Sequence, residues 1–202
     1  MITNPSEKDE IYIANVAKIG NSTQNIHYAE NILSEQNHKI LLDYVKNAKS
    51  WKEQPWLAKT IDFNNLPEEI IKILDSIFEI VYKKSLNLYN VDINPFDRSA
   101  LHLVKFTKGF YLVPHVDTLS VEGNHIASVY YINDDYAGGE INFPEHSLNI
   151  KPKANSLIIF PGNENYLHEV REIVDKDRYS SAMWFQFAGS TFNKKSEWYG
   201  EQ

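Results

Sequence analysis

The chain has 202 residues, 43% of them hydrophobic, which is enough for one sizeable core and predicts a single domain over 1–202. A net charge of −7 without a basic run argues against a nucleic-acid partner. The absence of cysteine excludes disulfides, thiolate metal sites and cysteine nucleophiles, and no apolar run approaches a membrane span. The polar N-terminus MITNPSEKDE has no apolar signal core, so the expectation is a soluble, cytoplasmic chain.

Residues 1–99 read as supporting structure. The first 22 residues predict an edge strand or arm, and Ile26–Ala29 a first strand. Ser34 suits an N-cap, and Ile40, Leu41, Tyr44, Val45 and Ala48 follow at helical spacing, predicting a helix over about 34–48. Trp51–Leu57 reads as a loop or short strand. Asn65 and Pro67 open a second helix, whose stripe is Ile70, Ile71, Leu74, Ile77, Phe78 and Val81.

From Ala100 the pattern changes to short strands separated by tight turns. They are ALHLVKF, FYLVPHVD, HIASVYYIN, EINFP, SLNIKP, NSLIIFPG, YLHEVREI and RYSSAMWFQFA, with DDYAGG as a turn. Helices first and strands after predict a mainly β fold with supporting α structure. The expected architecture is a double-stranded β-helix, or jelly roll, over 100–188, buttressed by two N-terminal helices. Residues 189–202 form a tail.

Within FYLVPHVD, His115 and Asp117 are two apart, so on extended backbone they leave the same face. His168 follows about fifty residues later, after a buried strand, a spacing that a jelly roll can bring back to the same mouth. Two imidazoles and one carboxylate on one side of a metal form the facial triad of non-heme Fe(II). Alone, His-x-Asp is also an ordinary surface pattern. The remaining histidines lack a carboxylate at strand spacing. His27, His38, His102 and His146 read as structural or surface residues, and His125 as a surface residue bordering the mouth.

The segment from about Ala100 to Ala188 resembles the 2-oxoglutarate- and Fe(II)-dependent dioxygenases, and among them the prolyl 4-hydroxylase-like group. The resemblance rests on ordered pieces: F-x-x-G at Phe106–Gly109, then PHVD, SVYYIN, GGEINFPE, KPKANSLIIFPG, LHEV and DRYSSAMWF. HVD, YYIN and HEV are most like the hypoxia-type prolyl hydroxylases. The resemblance implies that His115, Asp117 and His168 ligate iron, and that Arg178 pairs with the C5 carboxylate of 2-oxoglutarate with help from the Tyr131 hydroxyl. Trp184 would wall the site, and Leu103, Val129 and Ile141 would line it. The implied reactants are Fe(II), 2-oxoglutarate and O2, with ascorbate to keep iron reduced. The implied reaction hydroxylates a C–H bond, with proline in a peptide or protein the favoured target and succinate and CO2 as co-products.

Departures fall on the substrate side. Phe106 stands where the family usually has Tyr, Leu112 where many members have Tyr, and Asn124 where prolyl hydroxylases place a peptide-contacting Arg. Two alternatives therefore stand beside the prolyl reading: a dioxygenase acting on a free amino acid or other small molecule, and a non-catalytic jelly-roll binding module. Alkylated-nucleobase repair is disfavoured by the acidic charge and the lack of a basic groove.

Overall fold

In this computed structural model, residues 12–13, 25–54, 58–89, 93–95, 102–117 and 125–187 are described. In chain order the elements are β1 (Tyr12–Ile13), β2 (His27–Glu30), α1 (Glu35–Asn47), β3 (Lys52–Glu53), β4 (Ala58–Asp62), α2 (Glu68–Tyr89) and β5 (Ile93–Pro95). Then come β6 (His102–Phe106), β7 (Leu112–His115), β8 (His125–Tyr131), β9 (Ile141–Phe143), β10 (Leu148–Ile150), β11 (Ser156–Pro161), β12 (His168–Val170) and β13 (Arg178–Phe187). Every strand pairing among the described residues is antiparallel.

The strands form two sheets. The larger runs β1-β2-β11-β8-β13-β6-β4-β3, with β5 also paired to β13, and the smaller runs β10-β9-β12-β7. Strands from the N-terminal half thus extend the same sheet that the C-terminal half builds. The two helices and the two-sheet strand set match the expected jelly roll.

Both helices start where side-chain chemistry favours a start. Ser34 Oγ accepts from the Asn37 N–H at 3.3 Å and caps α1. Pro67 precedes α2, where its missing N–H costs little, and Glu68 and Glu69 complement the helix dipole. Leu41 and Val45 of α1 and Ile73, Leu74, Ile77 and Val81 of α2 are buried against one face of the large sheet. Each such side chain contributes about 1.5–3 kcal/mol through burial, far more than a cap. Packing therefore sets the helices in place, and the caps fix their ends.

Asn155 ties this helical layer to the sheet. It sits at φ 59°, donates to Leu33 O at 2.9 Å, and accepts from Leu33 N–H at 2.8 Å and the Tyr130 hydroxyl at 2.9 Å. His38 Nδ1 is 3.0 Å from the same Tyr130 hydroxyl, which gives this histidine a structural place. His146 contacts Asn165 O at 2.7 Å, on a short 3-10 turn over Pro144–His146. The opposite face of the large sheet meets the small sheet. Tyr28, Ala127, Tyr131, Ile158 and Phe160 from the large sheet pack there against Ile141 and Phe143 from the small one. No described helix is long and apolar enough to cross a membrane.

Candidate active site

β7 ends on His115, Asp117 follows two residues later, and β12 begins on His168. The β7–β12 register sets His168 directly opposite His115, with ring centroids 4.3 Å apart. His115 Nε2 lies 3.7 Å from Asp117 Oδ1, and His168 Nε2 lies 3.7 Å from Oδ2. One ligand atom from each residue falls within 4.8 Å of the others.

The imidazoles are pre-aimed. His115 Nδ1 is 2.8 Å from Val113 O, and His168 Nδ1 is 3.0 Å from Tyr166 O. A carbonyl only accepts, so each neutral ring carries its proton on Nδ1 and turns the Nε2 lone pair toward Asp117. Burial holds the His168 pKa below its ordinary value, with Asp117 opposing and His115 reinforcing. The neutral form is the one that ligates a metal. Phe143 and Phe160 press on the His168 ring at centroid distances of 5.4 and 4.7 Å. His115 keeps partial exposure. Two imidazole nitrogens and one carboxylate oxygen make a donor set that suits ferrous iron.

Arg178 opens β13 opposite Phe106 of β6. It is 3% exposed, yet no carboxylate among the described residues forms an ion pair with it. Nη1 donates to Gly139 O at 3.1 Å, and Nε has no partner among the described residues. The guanidinium carbon stands 4.7 Å over the Phe106 ring and 5.4 Å over the Tyr131 ring. A buried, unpaired cation is costly, so this pocket fits a ligand that brings a carboxylate. Burial raises the Tyr131 pKa far above its ordinary value; Arg178 opposes that shift and Asp117 adds to it. Tyr131 thus lies within electrostatic reach of both the guanidinium and Asp117.

Strand parity brings the expected walls together. Arg178, Ser180, Ala182 and Trp184 leave the same face of β13, with Tyr131 opposite Ser180 and Val129 opposite Ala182. Val129, Ile141, Tyr131 and Trp184 belong to one apolar cluster with Phe143 and Phe160, the rings that touch His168. Phe106 lies under the guanidinium and stacks on Phe110 at 4.0 Å.

Leu103 is a correction. It is fully buried in the helix-side core with Ile61, Tyr130 and Met183, on the opposite face of the sheet from the site. One residue of register separates it from Val104, and β6 is apolar on both faces, so alternation alone does not orient it. Asn124 lies outside the described residues, as do the side chains of His102 and His125.

Sequence reasoning read DDYAGG as a turn but missed that it serves Arg178. Gly138 and Gly139 take φ of +72° and +69°, and a Cβ on Gly138 would stand 1.9 Å from Glu172 O. The glycines let the chain bend tightly enough to aim the Gly139 carbonyl at Arg178. Lys151 Nζ stabilises this turn by donating to the Tyr136 and Gly138 carbonyls. The Gly-Gly pair signals such a turn, but nothing in it names the cation it serves.

Residues 101–186 match the family described as the 2OG-Fe(II) oxygenase superfamily. No curated protein sequence matches the chain significantly. Solved structures are similar in fold. A Pseudomonas putida prolyl-4-hydroxylase superposes with a TM-score of 0.66 at 15% identity, covering 83% of this chain and 95% of that one. A Trichoplax adhaerens prolyl hydroxylase in complex with a hypoxia inducible factor peptide fragment gives 0.65 at 17%, covering 81% and 84%. A viral collagen prolyl hydroxylase from Paramecium Bursaria Chlorella virus-1 gives 0.64 at 16%, covering 81% and 96%. Residues 101–186 thus carry the pattern of the 2OG-Fe(II) oxygenase superfamily, and the chain has the fold of the prolyl 4-hydroxylases.

Proposed function

We propose that this chain is a 2-oxoglutarate-dependent dioxygenase that hydroxylates a C–H bond of a prolyl residue in a peptide or protein, with succinate and CO2 as co-products. The carrying observation is the His115–Asp117–His168 cluster, within 4.8 Å, together with a buried Arg178 that has no carboxylate partner among the described residues and lies over Tyr131 of the same apolar cluster as the rings on His168. In this reading His115, Asp117 and His168 hold iron, and Arg178 with Tyr131 holds the remote carboxylate of 2-oxoglutarate. Ferrous iron and 2-oxoglutarate, when bound, supply the oxidation that transfers one oxygen atom of O2 to the substrate.

The chain's own residues do the positioning. The Val113 and Tyr166 carbonyls lock the two imidazoles in one tautomer and one orientation. Asp117 adds a negative charge between them, and its burial strengthens that charge's pull on a cation. Phe143, Phe160 and Ile141 keep water from the closed side. The guanidinium fork of Arg178 suits a two-point carboxylate contact, which fixes which end of the cosubstrate faces the metal.

The peptide reading draws support from the mouth. Val113, on the strand that ends at His115, and Tyr111, just before that strand, are 63% and 59% exposed. Large exposed apolar side chains beside the open metal face suit an extended peptide better than a small polar metabolite. The fold neighbours, one of them solved with a peptide, point the same way.

The test is a mass-spectrometric screen of proline-containing peptides alongside free amino acids, with Fe(II), 2-oxoglutarate and O2. The expected result is a one-oxygen mass gain on peptidyl proline, with matching succinate formation. Gain only on a free amino acid would replace the prolyl reading with the small-molecule one. Absence of any product and of succinate, with every candidate substrate, would favour the binding-module reading.

A further inference from the structure

The Tyr136 hydroxyl is buried, and it has no hydrogen-bond partner among the described residues. Neither the metal-type cluster nor the Gly139–Arg178 contact uses it. Native structures seldom leave a phenol in this condition unless something else fills the gap.

Its ring is fixed from two directions. Lys151 Nζ stands 3.7 Å from the ring centroid. Tyr136 Cε2, next to the hydroxyl-bearing carbon, is the atom that a Cβ on Gly139 would meet at 2.9 Å. The carbonyl of this same Gly139 takes Arg178 Nη1 at 3.1 Å. Tyr136 also packs in one cluster with Phe106, whose ring lies 4.7 Å under the guanidinium. The edge of the Tyr136 ring next to its hydroxyl therefore lies against Gly139, the residue whose carbonyl holds Arg178. Arg178 Nε is a second buried donor without a partner among the described residues.

The electrostatics agree with this placement. Burial pushes the Tyr136 pKa up to about 12, and the Arg178 charge is the main influence opposing it. Tyr136 also adds to the upward push on Tyr131.

We propose that Tyr136 is a further donor, beside Arg178 and Tyr131, to the cosubstrate carboxylate remote from the metal. The inference rests on the dioxygenase reading of Arg178 given above. A carboxylate offers about four acceptor sites, more than one guanidinium face can fill. Two phenols and a guanidinium would satisfy it. They would also disfavour 2-oxo acids lacking the second carboxylate, which would leave those buried donors unpaired. Lys151 acts as a positioning residue, holding the Tyr136 ring and the turn without touching the ligand.

The test is calorimetric titration of Mn(II)-loaded protein with 2-oxoglutarate, and with 2-oxopentanoate, which has the same carbon chain and no second carboxylate. Wild type, Tyr136→Phe and Arg178→Met are compared. The phenylalanine keeps the ring under Lys151. Tyr136→Phe is expected to bind 2-oxoglutarate about tenfold or more weakly, given a charge-assisted hydrogen bond. Its Mn(II) affinity, its 2-oxopentanoate affinity and the melting temperature of its unliganded form should match wild type. Wild-type affinity for 2-oxoglutarate in Tyr136→Phe would overturn the proposal. So would an equal weakening toward both acids, or a fall in melting temperature, since either marks a structural hydroxyl. If wild type and Arg178→Met fail to distinguish the two acids, the reading of Arg178 falls as well. If only Arg178→Met loses the distinction, the Tyr136 inference falls alone.

Discussion

His168 Nε2 and Asp117 Oδ2 lie 3.7 Å apart, although about fifty residues separate them in sequence and they sit on different segments. The gap is longer than a hydrogen bond, and His115 stands at the same distance from the other carboxylate oxygen. Three donors therefore face a common point without satisfying one another. A divalent ion at that point binds the folded chain and not the unfolded one, so it stabilises by mass action. Saturating Mn(II) at a hundred times its dissociation constant should add about 2.7 kcal/mol, read as a rise in melting temperature. His168→Ala should abolish the rise. An equal rise in that variant would place the metal elsewhere.

Arg178 should be dispensable for folding in the unliganded chain. It is a buried cation held by one carbonyl and two aromatic faces. Replacing a buried charge by an apolar side chain is often neutral or stabilising. Denaturant unfolding of Arg178→Met should give a stability no more than about 1 kcal/mol below wild type. A loss of about 3–5 kcal/mol would mean that the charge is paired within the fold.

Two glycines separate strain from collision. Gly109 and Gly138 both take positive φ, but a Cβ on Gly109 would meet nothing within 4 Å, whereas one on Gly138 would meet Glu172 O at 1.9 Å. Gly109→Ala should cost about 1–2 kcal/mol from the backbone alone. Gly138→Ala should cost about 3 kcal/mol or more, because a backbone oxygen must move. It should also weaken 2-oxoglutarate binding by shifting the carbonyl that holds Arg178. Equal costs by thermal unfolding would contradict this assignment.

Much of this was legible in the sequence because period decides face. Arg178 to Trp184 is an even number of residues on one strand, so the two had to share a side, and they do. The stripes from Leu41 to Val45 and from Ile70 to Val81 named the helix faces correctly. Leu103 escaped because β6 is covered on both faces, which erases the polar–apolar contrast that fixes register. Tyr136 and Gly139 escaped because DDYAGG reads only as a turn. Their role comes from Arg178, about forty residues away, and no local pattern carries it.

Alkaline pH should destabilise the protein in a definite window. Burial raises the Tyr130 and Tyr131 pKa values well above 10.0 and takes Tyr136 to about 12. Unfolding returns each to about 10, so above that pH the unfolded chain releases protons that the folded chain retains. Stability is then fully present below pH about 10 and falls as pH rises through the folded values. For Tyr136 the separation amounts to about 2–3 kcal/mol. Urea unfolding near neutral pH and again at pH about 11 should show the drop, with a smaller one in Tyr136→Phe. A flat profile would mean that these phenols are solvated.

The most direct test asks whether the metal cluster and the guanidinium form one site. Calorimetric titration of 2-oxoglutarate into Mn(II)-loaded chain should show one ligand per chain. Affinity should collapse when a chelator removes the metal, and again in Asp117→Ala. Binding that is indifferent to the metal, or that survives the loss of Asp117, would contradict the account.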